Sequence, residues 1–359
     1  MAYLGIDVGS VTVNFARINA EGEVLAALTE PAHGRPVGAI QRGLARLAAD
    51  GDVPDNTDAV GVTGSGRRLA AVVAGADVVK NEITAHYVGA TRFVSDVRTI
   101  IEIGGQDSKI IIIGSCEGQL SCPGQVTGVL ADFAMNTVCA AGTGSFLDQQ
   151  AGRLNIPIED FGRLARQARS PVRIAGRCTV FAEADMIHKQ QGGAATEDIV
   201  AGLCDAIVRN YLHDLARGKP IRPVVVFQGG VAGNVGVRDA FERALGLEVV
   251  VPPYHDAVGA IGAAILAGEW RRGSDAPTAF NGYAIADAQL EALEFHCGDC
   301  VNDCDVTLLL RDSEPVACLN DRCGKWSDDP PGAAARADGS PAAEPRRERS
   351  APQCERCEG

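Results

Sequence analysis

Aromatic residues are scarce in this 359-residue chain, at 5%, and no apolar run reaches the roughly 18–20 residues that span a bilayer. The second absence excludes a transmembrane helix. Positive charge is also short: 33 Lys and Arg against 46 Asp and Glu give a formal charge of −13. Nucleic acid and anionic membranes are bound through basic patches, so neither is an expected partner. The P-loop pattern that ends in Lys-Ser/Thr is missing, which argues against a Walker-type ATPase. The first residues, Met1 to Asp7, hold no basic n-region and carry an acid, so they do not read as a signal peptide, and a cytoplasmic location is expected. What is plentiful is glycine, with 42 residues, which suggests close backbone approaches. Twelve cysteines without a secretion signal point to metal or redox chemistry rather than a disulfide framework.

Length alone suggests two or three folded units. Ile6-Asp7-Val8-Gly9-Ser10 and Ile101-Glu102-Ile103-Gly104-Gly105 share one order: aliphatic, acid, aliphatic, glycine, small residue. Each runs from a short apolar strand into a glycine turn, and a second strand-like run follows each, Val11 to Ile18 and Ser108 to Ile113. A third such junction, Val224 to Gly230, precedes a helical stretch from Asn234 to Ala244. Helical patterns occupy Val37–Ala49, Glu82–Val94, Gly144–Arg153, Glu159–Ala168, Thr196–Ala216 and Asp256–Ala267. Strands alternating with helices predict an α/β fold, and the duplication predicts two similar subdomains across a cleft. The first is expected over 1–97, with 254–272 returning to it, and the second over 98–253. A cysteine-rich module over 290–326 and a disordered, Pro- and Ala-rich tail over 327–359 follow.

A strand that ends in Gly-Ser or Gly-Gly brings unhindered N–H groups to phosphate oxygens, because no Cβ blocks the approach. Two facing turns can clamp a polyphosphate while carboxylates orient Mg²⁺ through its waters. Asp7 and Asp107 then sit beside the metal as candidate catalytic residues, and Ser10, Thr12, Gly104, Gly105 and Gln106 lie within reach of phosphate. Gly229, Gly230 and Asn234 at the third junction would let a nucleoside lie flat against the backbone. The order LGIDVGS, IEIGGQDSK, VVFQGGVAGN resembles the actin-like ATPase superfamily, which also holds sugar kinases and Hsp70 chaperones. That resemblance implies duplicated ribonuclease-H-like subdomains with bound ATP and Mg²⁺.

Two cysteines stand at helix starts, Cys139 before Gly142-Thr143-Gly144 and Cys178 before Thr179-Val180-Phe181. The positive end of a helix dipole favours a thiolate or an anionic cluster there. A cubane cluster usually takes four thiolates, and a two-fold dimer would supply two from each copy. Two buried, inert thiols are the plainer alternative. CAAGTGSFLD and CTVFAEAD inside the actin-like order resemble the activator ATPases of 2-hydroxyacyl-CoA dehydratases and the ATP-binding subunits of benzoyl-CoA reductases. The likeness extends over about 270 residues, including Thr63 to Arg67 and Asn81 to His86. It implies a homodimer whose Cys139 and Cys178 bridge one [4Fe–4S] cluster, and ATP hydrolysis that drives one low-potential electron to a partner iron–sulfur dehydratase or reductase. A ferredoxin or flavodoxin would be the donor. It also maps Ser10, Thr12, Gln106, Asp107, Thr143 and Gly230 to the nucleotide and its metal, and Asn14, Gly142 and Gly144 stand beside them as candidate cofactor contacts.

Some features depart from that family. Related activators commonly carry lysine where this chain has Asn14, which puts Asn14 in doubt as a ligand. The stretch before Cys139 is longer and holds Cys116 and Cys122, read as loop thiols, whereas Cys204 reads as core. Cys297-x2-Cys300-x3-Cys304 and Cys318-x4-Cys323 have metal-ligand spacing, for zinc or a second iron–sulfur cluster, with His296 as a further candidate donor. Cys354-x2-Cys357 lies in the tail. His86 and His188 read as surface or interface residues. Two other functions fit the cleft: a small-molecule kinase with Asp107 or Glu82 as base, and a nucleotide switch without electron transfer.

Overall fold

The structure, a computed structural model, describes residues 1–49, 57–115, 128–136, 142–175 and 178–328. Cys116, Cys122, Cys139, Cys354, Cys357 and the tail from 329 lie outside the described residues.

The first sheet contains β1 (Ala2–Val8), β2 (Thr12–Asn19), β3 (Val24–Pro31), β4 (Ala59–Thr63) and β5 (Val78–Val79), in the order β3-β2-β1-β4-β5. Its helices are α1 (Pro36–Ala49), α2 (Arg67–Ala74) and α3 (Glu82–Phe93). The second sheet contains β6 (Thr99–Ile103), β7 (Ser108–Ser115), β8 (Gly128–Asn136), β9 (Val225–Gln228) and β10 (Val249–Val250), in the order β10-β9-β6-β7-β8. The helices α4 (Gly144–Leu154), α5 (Ile158–Ala165), α6 (Thr179–Gln191), α7 (Thr196–Asp214) and α8 (Val235–Leu245) go with this second half, whereas α9 (Val258–Arg272) packs on β1, β2 and β4 of the first sheet. In both sheets an antiparallel hairpin leads to a third antiparallel strand, and two parallel strands extend the other edge. The repeat in the sequence is thus a repeat of topology.

Alternation along the central strands sorts the layers. Leu4, Ile6 and Val8 face α1 and α2, whereas Tyr3 faces α9. Ile101, Ile103, Val225 and Phe227 face α4, α5, α7 and α8, and Ile100, Ile111 and Val226 face α3. The pair α9 and α3 therefore lies between the two sheets. Glycine permits this approach: a Cβ on Gly5 would fall 1.8 Å from the Ala260 carbonyl, and one on Gly262 would fall 1.9 Å from that of Ala85. A Cβ on Gly61 or Gly89 would meet α9 almost as closely, at 2.1 Å from the Ala263 carbonyl and 2.2 Å from that of Val258 respectively.

A third sheet, β11 (Leu290–Cys297), β12 (Cys304–Arg311) and β13 (Glu314–Leu319), follows the body. Leu309 and Ile285 join the core formed by α1, α2 and the first sheet. Gln41 Nε2 donates to the Ile285 and Ala288 carbonyls, and Asp77 accepts from Thr278 and Ala279, so the module is fastened to the first half. Three of the module's five cysteines lie on its strands. Cys297 faces Cys304 across β11 and β12, but Cys318 faces Leu308, four residues along β12, or roughly 13 Å away at the usual rise per residue. All three are buried with Val306, Leu308 and Leu310. Among the described residues no three His, Cys, Asp or Glu side chains are arranged to hold a metal, and His296 instead pairs with Asp303 and Asp305.

Candidate functional site

A cleft of about 510 Å³ opens between the two sheets. Asp7, Ser10, Thr12, Asn14, Gly104, Gly105, Gln106, Asp107, Gly144, Gly229, Gly230 and Asn234 all line it. Gly142 and Thr143 do not. Thr143 is fully buried, and the Gly142 carbonyl accepts from Ser108 Oγ at 2.5 Å, behind the cleft wall.

The two hairpin turns close in the same way. Gly9 N–H donates to Thr12 O at 3.0 Å, and Gly104 N–H donates to Asp107 O at 3.0 Å. Gly229 has φ +90°, and a Cβ there would meet the Ile103 carbonyl at 2.4 Å, so this junction needs glycine. Asn234 caps α8, its Oδ1 accepting from Gly236 and Val237 N–H. Its oxygen is thus committed to the helix. Asn14 Oδ1 accepts from Thr29 Oγ1 at 2.9 Å.

Beyond these residues, the cleft holds a charged cluster that sequence reasoning does not assemble. Lys109 is buried among Glu82, Glu102 and Asp107. Burial alone would lower its ammonium, but Glu102, Asp107 and Glu82 more than offset this and keep it protonated. Burial pushes Asp7 up to about 7; Lys109 opposes the rise, and Glu82, Glu102 and Asp107 add to it. Glu102 is raised by burial as well. The expectation of a surface or interface role for His86 is corrected: the residue is buried, and its Nδ1 lies 3.0 Å from Gln228 Nε2. Gln228 donates there, so Nδ1 accepts and the ring is neutral. Burial, helped by Lys109, holds it down to about 4. His188 is exposed. The one signal for Lys109 in the sequence is its place two residues after Asp107, on the strand that leaves the turn.

Cys178 is exposed at the start of α6, with Val180 and Phe181 exposed beside it at 70% and 69%. Glu183 of α6 forms an ion pair with Arg153 of α4 at 2.6 Å and accepts from Gln149 at 3.3 Å. The helix following Cys178 is thereby tied to the helix following Cys139. Cys204 is fully buried in α7, and its thiol is pushed up by burial.

Two sheets of one topology, with glycine turns and carboxylates facing each other across a cleft, define the actin-like ATPase fold. Within that fold the chain belongs to the BadF/BadG/BcrA/BcrD ATPase family, whose model matches residues 4–267. It is 34% identical to the (R)-2-hydroxyglutaryl-CoA dehydratase activating ATPase of Acidaminococcus fermentans, over 74% of this chain and 96% of that protein. It is 33% identical to the 2-hydroxyisocaproyl-CoA dehydratase activator of Clostridioides difficile, over 74% and 95%. The crystal structure of the Acidaminococcus component A aligns with a TM-score of 0.68 at 32% identity, covering 76% of this chain and 99% of that one. The β11–β13 module lies beyond the matched residues.

Proposed function

We propose that this ATPase is a reductive activator: ATP hydrolysis in the cleft is coupled to one-electron delivery to a partner iron–sulfur enzyme that acts on CoA thioesters. The observation that carries the reading is a set of hydrogen bonds joining the phosphate turn to the start of α4. Gly144 N–H donates to Gly104 O and Ser145 N–H to Gly105 O, each at 2.8 Å, and Ser145 Oγ donates to Gly105 O at 2.6 Å. Any shift of Gly104–Gly105 on nucleotide binding is therefore passed to the helix that follows Cys139. Glu183 carries it on to the helix that begins at Cys178.

Asp7 and Asp107 would hold Mg²⁺ through its waters, and the backbone N–H groups of the two glycine turns would hold phosphate oxygens. Cys139 and Cys178, with the same pair from a second copy, would hold a [4Fe–4S] cluster. Cys178 fits such a role, being an exposed thiol at a helix start. Such a cluster supplies one electron at low potential, tuned by solvent access and N–H contacts. The chain's own task is to move the helices that bear the thiols. A ferredoxin or flavodoxin would reload it. The exposed Val180 and Phe181 suit burial against the second copy.

Anaerobic purification tests the reading. The expected product is a brown dimer with about four irons, since four thiolates hold one cubane. Cys178→Ser should be colourless and unable to activate a dehydratase partner. A Cys178→Ser protein with its full iron complement would overturn the assignment.

A further inference from the structure

A lysine beside a phosphate pocket is ordinarily taken for a phosphate ligand. Lys109 is placed otherwise. Its Nζ lies 2.9 Å from Glu102 Oε2, 2.9 Å from Asp107 Oδ2 and 3.1 Å from Glu82 Oε2. The ammonium donates hydrogen bonds to Glu102 and Asp107 and is ion-paired with Glu82 as well, so carboxylates enclose it. The side chain is 2% exposed.

We propose that Lys109 is a positioning residue for ATP hydrolysis: a built-in cation that fixes Asp107 at the edge of the cleft without touching the nucleotide. The inference rests on ATP hydrolysis in this cleft and not on the electron-transfer reading. The three carboxylates come from separate elements: Glu82 from α3, Glu102 from β6 and Asp107 from the turn between β6 and β7. Their exposures differ as the role requires. Glu102 and Glu82 are 5% and 14% exposed, whereas Asp107 is 29% exposed. Lys109 engages Oδ2 of Asp107 and leaves Oδ1 free of the ammonium, available to a water on Mg²⁺.

Without this cation Asp7, Glu82, Glu102 and Asp107 would face one another with no ammonium between them. Like charges at such separations either take up protons or move apart, and Asp107, the most exposed, has the most room to move. Its displacement would spoil hydrolysis more than binding, because hydrolysis depends on the position of the metal's waters.

The test compares the wild type, Lys109→Met and the double variant Lys109→Met/Glu102→Gln. The double variant removes one positive and one negative charge, so its buried net charge equals that of the wild type. The measurements are steady-state ATP hydrolysis over a Mg²⁺ series and binding of the non-hydrolysed analogue ADPNP with Mg²⁺. Both variants are expected to lose about 100-fold in kcat, the loss a misplacement of about 1 Å can cause, while ADPNP affinity stays within about fivefold. Half-saturating Mg²⁺ should rise about tenfold, which corresponds to a weakly held Asp107. Recovery of kcat in the double variant to within about threefold would overturn the inference, since Lys109 would then only balance charge. A loss of ADPNP binding of about 100-fold in the double variant would also overturn it, by making Lys109 a direct ligand. Failure of both variants to fold would reduce Lys109 to a structural residue. Absence of ATP hydrolysis in the wild type would instead refute the assignment of this cleft.

Discussion

Asp7 is expected to destabilise the nucleotide-free protein, increasingly so as pH rises. Its carboxyl is buried and pushed from 3.8 to about 7. A folded-state value above the unfolded one means that, between the two, the folded chain holds the extra proton. Stability contributed by this group is then complete below 3.8 and is lost as pH climbs to 7. At 1.36 kcal/mol per unit, the full penalty above pH 7 is roughly 4 kcal/mol, and at pH 5.5 it is roughly 2 kcal/mol. Asn copies the protonated form in shape and removes the titration. Asp7→Asn should therefore raise Tm by about 7 °C at pH 8 and by about half that at pH 5.5, at roughly 1.5–2 °C per kcal/mol for a chain of this length. His86, held down to about 4, makes both proteins less stable as pH falls below 6.5, so only the difference between them isolates Asp7. Thermal unfolding by circular dichroism at the two pH values, without nucleotide, is the assay. The variant should also fail to hydrolyse ATP and gain no stability from Mg²⁺ with ADPNP. A variant less stable than the wild type at pH 8, or a Tm difference that ignores pH, would refute the reasoning.

Two further outcomes follow from the helices behind the cleft. Ser145→Ala removes the 2.6 Å bond to the Gly105 carbonyl; a hydrogen bond of about 1 kcal/mol predicts a roughly fivefold drop in electrons delivered per ATP, with ADPNP binding retained. Equal coupling in the variant would show that the bond transmits nothing. Phe181→Asp places a charge on the exposed apolar face beside Cys178 and should give a monomer in sedimentation equilibrium, whereas an intact dimer would place the interface elsewhere.

The strand-to-glycine junctions are legible in sequence because their causes are local. A buried strand needs a run of aliphatic residues, and a turn pressed against backbone needs glycine, as at Gly229. The start of α6 at Cys178 is legible for a similar reason. The Lys109 cluster is not, because its members stand on three elements and meet only after the sheets have formed. His86 is hidden for another reason: α3 is covered on one side by α9 and on another by the second sheet, a burial that its own mixed pattern does not announce. The Lys-less position at Asn14 points to a missing charge on the first hairpin. The structure shows a buried ammonium on the second hairpin instead, already paired with carboxylates.

Thiol chemistry in this chain is decided by placement rather than by number. Cys178 stands exposed at a helix start, where developing negative charge is favoured. Cys297, Cys304 and Cys318 line the apolar interior of a sheet, and burial, with Asp321 adding to it, pushes Cys318 up to about 11. Cys318 so disposed stays protonated at neutral pH and is a poor nucleophile. The module shares Leu309 with the core under α1 and α2, so its packing serves the first sheet. Cys297 thus packs in a hydrophobic core, whereas Cys178 is exposed and Cys300 and Cys323 are partly so.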